Sequence, residues 1–179
     1  MEIQKALDIA KACGFEVVAP MDPKKLKFLP EVRGMCKACN EYDTKWVCPP
    51  GCGSLEDLVP RYQWFQNGVI FQTVWNLDDD FDIEGMMESA ENHKAAISQL
   101  LTALAELPEE TLPFGNDGCG FCEACTYPDA PCRFPDRTFP SLSGVGIMVG
   151  GLCADNDVTY YYGRNIVAPT GAFLFNPQD

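Results

Sequence analysis

Cysteine is the residue type that dominates the chemistry of this sequence, which has ten cysteines and one histidine among 179 residues. Eight of the cysteines fall into two groups: the first cysteine group is Cys36, Cys39, Cys48 and Cys52, and the second cysteine group is Cys119, Cys122, Cys125 and Cys132. In a reducing compartment, clustered thiols are typical of metal ligands rather than disulfides. Because only one histidine is available, a metal site here must consist almost wholly of thiolates, which excludes polyhistidine sites of catalytic zinc and non-haem iron.

The spacing of the second group is typical of an iron–sulfur ligand run. Its first three cysteines are separated by two residues each, so one curling loop can present three sulfurs to three corners of a cubane. Cys132 follows after six further residues, and Pro135 lies three residues beyond it, whereas the bacterial ferredoxin run has a shorter last gap and an adjacent proline. Four thiolates also suit zinc, but zinc sites usually combine two C-x2-C pairs. The spacing therefore favours a [4Fe–4S] cluster at this group.

Glycines and aromatic residues surround the second group. Gly115, Gly118 and Gly120 permit tight turns that aim backbone amides at cluster sulfurs, and such hydrogen bonds tune the reduction potential. Five aromatic side chains are predicted to shield the site from water: Phe114, Phe121, Tyr127, Phe134 and Phe139.

The first group has a paired spacing that fits two kinds of centre. Cys36 and Cys39 form a C-x2-C pair, and Pro49, Pro50 and Gly51 separate Cys48 from Cys52. This arrangement is compatible with a second [4Fe–4S] cluster or with a zinc ion. Ligands can also be exchanged between the two groups, as two-cluster ferredoxins do with their fourth cysteines.

The remaining candidates for chemistry are expected to be structural. Cys13 and Cys153 have no histidine nearby in sequence, so we interpret them as small buried apolar residues rather than nucleophiles. His93 lies at the edge of a helical apolar stripe, which predicts a hydrogen-bonded histidine in the core or at an interface. The aspartates at 78–80 and 82 precede that helix and favour its N-terminus, because the register of a calcium loop is absent.

Charge and hydropathy limit the classes of partner and the location. The formal net charge is −13, which argues against nucleic acid and anionic lipid as partners. No apolar run is long enough for a membrane span, and residues 1–5 do not lead into a secretory signal, so we expect a cytoplasmic protein. Residues 22–37 form the only basic run, which is either a solvated loop or a docking edge for an acidic partner.

The periodicity of the chain predicts elements that would position the two groups. Helices are expected from Ile3 to Gly14, from Ser54 to about Phe65 after a capping box, and over residues 82–106. Five strands are expected: Phe15–Ala19, closed by Pro20; Val69–Trp75; Val145–Leu152 and Val158–Tyr162 around a turn at 155–157; and Ala172–Phe175. A glycine pattern over 144–151 resembles a nucleotide loop only superficially, because its spacing is wrong and no helix is expected after it.

These elements predict an α/β or α+β fold with a small central sheet and flanking helices. We expect one domain over residues 1–179, with cysteine-rich metal-binding loops at about 35–53 and 114–136.

The combined cysteine motifs resemble a known family over nearly the whole chain. The motifs are Cys36-x2-Cys39-x2-Tyr42-x3-Trp46-x-Cys48-Pro49-Pro50, then Cys119-x2-Cys122-x2-Cys125, Pro131-Cys132-Arg133-x-Pro135 and Ser141-x4-Gly146-Ile147. They are similar to a family of small predicted metal-binding proteins, a domain of unknown function common in anaerobic bacteria and archaea. The resemblance implies metal binding without a reaction. It also leaves the role of Cys52 open, and without Cys52 the first group would supply three thiolates and an open coordination position.

The leading functional hypothesis is electron transfer or redox relay to a partner protein through one or two [4Fe–4S] clusters bound by the eight clustered cysteines. One alternative is an enzyme that uses an open iron of a three-cysteine cluster as a Lewis acid or sulfur acceptor. Another is a protein-interaction module that is stabilised by structural zinc, bound at the first group in particular.

Overall fold

A four-stranded antiparallel sheet lies at the centre of the fold, with the strand order β1–β2–β6–β4. The structure is a computed structural model that describes residues 1–108, 110–116 and 119–177. Within these ranges the strands are β1 Val17–Met21, β2 Asn67–Gln72, β3 Trp75–Asn76, β4 Thr111–Phe114, β5 Ile166–Val167 and β6 Thr170–Phe175. The short strands β3 and β5 form a separate antiparallel pair. Pro20 and Pro113 lie in the two edge strands, where a lost amide donor is tolerated.

Five α-helices of the described residues flank the sheet: α1 Ile3–Ala12, α2 Pro30–Met35, α3 Leu55–Gln63, α4 Ile83–Ala105 and α5 Val149–Asp155. The side chains of β2 and β6 pack alternately into two hydrophobic cores, one on each face of the sheet, because successive side chains of a strand point to opposite faces. Phe71 and Phe173 pack on one face with residues of α1 and α4. Ile70 and Leu174 pack on the other face with residues of α3 and α5. The result is a mixed α/β domain with a small antiparallel sheet, as the sequence predicts.

Local signals place the helix ends where the sequence predicts them. Gly14 follows α1 with a φ of +93°, a left-handed conformation that favours glycine. Ser54 caps α3 by accepting a hydrogen bond from the amide of Asp57 at 3.1 Å. Asp82 caps α4 in the same way, because its carboxylate accepts from the amide of Gly85 at 2.8 Å. The acidic run before α4 therefore contributes to the helix N-terminus.

Two predicted strands in the C-terminal third are wrong. Residues 143–145 form a short 3-10 helix, and Gly146, with a φ of +81°, turns the chain before α5. The prediction that no helix follows the glycine pattern is therefore also wrong. Residues 158–162 pair with no strand within the described residues. Buried Gln72 instead holds this segment, donating to the carbonyl oxygen of Thr159 at 3.1 Å and accepting from the Tyr162 hydroxyl at 2.7 Å.

The remaining strand predictions are confirmed with shifted bounds. β1 begins two residues later than expected and continues through Pro20, since an edge position tolerates proline. The predicted strand at Val69–Trp75 is divided into β2 and β3, and β6 contains the predicted last strand. None of the helices within the described ranges has the length and apolar character that crossing a membrane requires.

Candidate metal centre

The first cysteine group begins directly after α2 and extends to the start of α3. Cys36 follows the last residue of α2, and a single 3-10 turn separates it from Cys39. The amide of Glu41 donates a hydrogen bond to Cys39 Sγ at 3.4 Å. Burial, with a contribution from the negative charge of Glu41, raises the pKa of Cys48 to about 11. The negative charges of Cys39 and Cys52 also raise the pKa of Cys48, so each of these two thiols lies within electrostatic reach of Cys48.

All four cysteines of the second group line one small cavity, together with residues of the first group's loop such as Lys45 and Trp46. The cavity has a volume of about 20 Å³, about the room of one water molecule. The amide of Phe134 donates to Cys132 Sγ at 3.4 Å, and the backbone of Phe121 lowers the pKa of Cys119 against the larger effect of burial, which raises it. The four cysteines of this group are partly exposed and border one small, partly open space.

Within the described residues, three hydrogen bonds join the two cysteine-rich loops. Lys45 Nζ donates to the carbonyl oxygen of Cys119 at 3.0 Å, and Trp46 Nε1 donates to the carbonyl oxygen of Ala130 at 3.0 Å. The Tyr127 hydroxyl donates to Asp43 at 2.9 Å. The sequence alone gives no sign of these bonds, because the partners are 74 to 84 residues apart. The loops consequently form one structural unit.

Aromatic packing supports the same contact between the loops. The rings of Trp46 and Tyr127 meet edge to face with their centroids 4.9 Å apart. Gly51 lies directly against them, since a Cβ atom at Gly51 would be 2.9 Å from Tyr127 Cε2. Phe121, Phe134 and Phe139 line cavities beside cysteines of the second group. Because Phe121 and Phe134 are exposed, the predicted shield against water is incomplete.

One prediction about the surroundings of the second group is wrong, and another falls on a residue outside the described part of the chain. Phe114 is buried in the hydrophobic core and stacks on Tyr62, with the ring centroids 4.8 Å apart, so its assignment to the shield is wrong. Gly118 lies outside the described residues, so the predicted role of its amide stays a prediction.

Cys52 has an environment unlike that of the other cysteines in its group. Arg33 Nη1 donates to Cys52 Sγ at 3.6 Å and to the carbonyl oxygen of Gly144 at 2.7 Å. A second nitrogen of Arg33 donates to the carbonyl oxygen of Gly53. Burial raises the pKa of Cys52, and the positive charge of Arg33 opposes that rise. Arg33, which the sequence placed in a basic run, thus serves as an internal link between three segments.

The other basic residues of that run remain near the surface. Lys27 forms an ion pair with Asp155 at 2.6 Å, and Lys25 donates to the carbonyl oxygen of the same residue. These contacts join the run to α5, and a role of the run in docking stays a prediction.

A cavity of about 730 Å³ lies between the two cysteine groups. Three cysteines of the first group, Cys36, Cys39 and Cys48, line it, and so does Cys119 of the second group. Its volume is within the range of small-molecule sites, which is about 300–1,000 Å³. Cys52 instead lines a separate cavity beside Arg61 and Tyr62.

The thiols are available but are not arranged around a single ion. All ten cysteines are free. Within residues 1–108, 110–116 and 119–177, no three cysteine, histidine or acidic side chains lie together closely enough to hold one metal ion. A cluster of four iron ions is wider than a single ion, so its cysteine ligands stand further apart. The donor set, which is entirely thiol in both groups, suits iron–sulfur clusters as well as zinc in its chemistry.

The single histidine and the two isolated cysteines are core residues, as the sequence predicts. His93 Nδ1 shares a hydrogen bond of 2.9 Å with the Thr73 hydroxyl, and burial lowers the pKa of His93 to about 4. Cys153 is fully buried, which raises its pKa to about 11, and Cys13 is 8% exposed.

Two hydrogen-bonded, thiol-rich loops on an α/β scaffold define a candidate metal-binding protein. The family described as predicted metal-binding protein (DUF2284) has a model that matches residues 19–175, and the chain belongs to this family. No curated protein and no solved structure matches the chain.

Proposed function

We propose that this protein is an iron–sulfur electron carrier, with a [4Fe–4S] cluster bound by Cys119, Cys122, Cys125 and Cys132. The observation that carries the proposal is that these four thiols line one small cavity. Residues 117 and 118, next to this group, lie outside the described part of the chain.

Amide donors to sulfur support a cluster at this group. The amide of Phe134 contacts Cys132, and the amide of Glu41 contacts Cys39, both at 3.4 Å and both two residues after the cysteine. Hydrogen bonds to cluster sulfurs stabilise the reduced state and are one of the means by which proteins set its potential. The chain's own backbone thus supplies donors at both groups.

The charge of the surface indicates the kind of redox partner. The chain has 26 acidic and 13 basic residues, and a thiolate-bound cluster adds further negative charge. A partner with a basic patch would be attracted over a distance and oriented at the docking site. When bound, a [4Fe–4S] cluster supplies a one-electron redox couple, and the protein supplies burial, sulfur ligands and the docking surface.

Zinc at one or both groups is the main alternative for the metal. Four thiolates bind zinc at about 2.3 Å, which requires the sulfurs to lie close around one point. In the described part of the chain no such set of side chains is present. A four-iron cluster does not require its four sulfurs to meet around one point, and it is the centre that we propose.

Metal and sulfide analysis after anaerobic purification tests the proposal. We expect iron and acid-labile sulfide in equal amounts, visible absorption that bleaches on reduction, and an EPR signal of the reduced protein. Cys125→Ser should lower the iron content, whereas Cys13→Ala, which changes a cysteine outside both groups, should not. Stoichiometric zinc without sulfide would overturn the proposal.

A catalytic role is the second candidate, and the cavity of about 730 Å³ beside the first group favours it. A closed four-cysteine site needs no adjoining cavity, but an iron with an open position can act as a Lewis acid on a molecule bound there. In this version of the proposal, the second group would deliver electrons and the first group would face the substrate.

A further inference from the structure

The cysteines of the first group line two different cavities. Cys36, Cys39 and Cys48 line the cavity of about 730 Å³, whereas Cys52 lines a different cavity beside α3. A centre bound by all four thiols would have to lie between these two spaces. A centre bound by three of them would face the larger cavity with its fourth position.

Hydrogen bonds to other residues of the protein hold the Cys52 thiol in place. Its Sγ accepts from Arg33 at 3.6 Å and lies 3.9 Å from the carbonyl oxygen of Gly144, where a thiol proton can be donated. Both partners are anchored, since Arg33 also donates to the carbonyl oxygens of Gly53 and Gly144. Moving Cys52 to a metal would therefore disrupt an existing set of bonds.

We infer that the first group binds its centre through Cys36, Cys39 and Cys48 alone, that Cys52 is a positioning residue held by Arg33, and that a small organic carboxylate enters the cavity to reach the open fourth position. This inference rests on the proposed iron–sulfur function. It names the ligand set and the class of molecule that the site accepts.

The walls of the cavity indicate a carboxylate with a single negative charge. Two lysines line the cavity, and Lys45 is already paired with Glu41 at 2.5 Å. Lys94 makes no ion pair or hydrogen bond with any residue that the structure describes, so one positive charge is left for a ligand.

The rest of the wall offers hydrogen bonds and apolar contacts. Ser141 and Ser143 also line the cavity, and their hydroxyl oxygens lie 3.3 Å apart. Val32, Ile147 and Val149 supply apolar surface. Few polar groups on a largely apolar wall are typical of small-molecule sites.

Ligand count is tested with anaerobically purified full-length protein. Cys52→Ser should keep the iron and sulfide content of the wild type, whereas Cys36→Ser and Cys39→Ser should each lose about half of both, because one of two centres is lost. Thermal unfolding of each variant establishes that it is folded. A loss of iron in folded Cys52→Ser equal to that in Cys36→Ser would overturn the three-ligand assignment.

An oxidation experiment provides a second measurement of the open position. Ferricyanide removes one electron from an oxidised [4Fe–4S]²⁺ cluster, which releases one Fe²⁺ and leaves [3Fe–4S]⁺ with its own EPR signal. An iron without a cysteine ligand is lost most readily. We expect this signal in the wild type and in Cys52→Ser but not in Cys36→Ser, and the same signal in Cys36→Ser would overturn the assignment to the first group.

The carboxylate is tested with lactate as the probe and 1,2-propanediol as its uncharged counterpart. We expect lactate, but not the diol, to change the EPR spectrum of the reduced protein and to bind saturably in calorimetry. Lys94→Met should weaken this binding at least about tenfold, while Lys5→Met, an exposed lysine on α1, should leave it unchanged. Equal binding by lactate and the diol, or no binding of lactate, would overturn the carboxylate site.

These outcomes distinguish the inference from the proposed function. Protein without iron and sulfide would end both. Protein with both clusters, in which Cys52→Ser loses one of them, would leave the electron-carrier function intact and overturn only the inference.

Discussion

Lys45 Nζ lies 3.0 Å from the carbonyl oxygen of Cys119, so a side chain of the first cysteine loop holds the backbone at the start of the second group. Lys45 also pairs with Glu41, and these interactions outweigh the effect of burial to raise the pKa of Lys45. Lys45 therefore contacts the carboxylate of Glu41 and the backbone carbonyl of Cys119. Its charge also interacts with the thiols of Cys48 in the first group and Cys119 in the second.

Lys45→Met is predicted to destabilise the contact between the loops. The variant loses the bond to Cys119 and leaves Glu41 without its partner, which should lower the free energy of unfolding by about 1–2 kcal/mol. Urea unfolding measures this change. Lys5→Met is the control, and an equal loss of stability in both variants would contradict the role of Lys45.

Trp46→Phe removes the indole N–H that donates to the carbonyl oxygen of Ala130. We expect a loss of about 1 kcal/mol in the free energy of unfolding, together with weaker retention of metal during dialysis against a chelator. Trp64→Phe is a matched control, because Trp64 is 59% exposed and its indole N–H bonds to no described residue. Equal stability and equal metal retention in the two variants would show that Trp46 does not hold the two loops together.

Gly51→Ala tests the close contact between the loops. The added Cβ would be 2.6 Å from the carbonyl oxygen of Lys45 and 2.9 Å from Tyr127 Cε2, so one of the loops must move. The expected cost is about 2 kcal/mol of unfolding free energy, with reduced metal occupancy.

Gly34→Ala provides the comparison for the Gly51 variant. Apart from its chain neighbours and the backbone of its own helix, no atom lies within 4 Å of the Cβ position at Gly34, and alanine is the better helix former within α2. We expect no loss of stability, or a gain of about 0.5 kcal/mol, in chemical denaturation. A Gly51→Ala protein as stable as Gly34→Ala would show that the loops are not in contact.

His93→Gln is predicted to weaken the response of stability to acid. Burial lowers the pKa of His93 from 6.5 to about 4, so between these values the unfolded chain binds a proton that the folded chain does not. Stability from this group is therefore present above pH 6.5 and is lost as the pH falls toward 4.

Between pH 7 and pH 5 the wild type should lose about 2 kcal/mol more than His93→Gln. Urea unfolding at both pH values measures the difference. Because the chain has only one histidine, its NMR signals report the same pKa directly. A histidine that titrates near 6.5 in the folded protein would be inconsistent with its burial.

Local signals allowed much of the fold to be predicted from sequence. The capping residues Ser54 and Asp82 and the glycine after α1 act within a few residues, so their effect can be recognised without the rest of the structure. The strand prediction for residues 145–152 is wrong because a short apolar run is also typical of a strand. In the structure Gly146 turns the chain, and α5 buries Leu152 and Cys153 in the core. Packing against the rest of the fold determines the conformation of this segment.

The sequence predicts the candidate ligands but not their arrangement. Spacing within each group points to the eight clustered cysteines, since ligands of one centre are usually close in sequence, and their role as ligands stays a prediction. The different setting of Cys52 depends on Arg33 and on the carbonyl oxygen of Gly144, which is 92 residues from Cys52. The cavity between the groups is likewise formed by segments distant in the chain, including α5 and the loops at 36–49 and 141–147.

The prolines of the two outer strands limit how this protein can associate. Pro20 and Pro113 lack the amide hydrogen that an added strand would need, so extension of the sheet by another chain is disfavoured on both sides. Recognition by another molecule should then depend on side chains of loops and helices. Such contacts are compatible with complexes that form and separate quickly, as the proposed electron transfer would require.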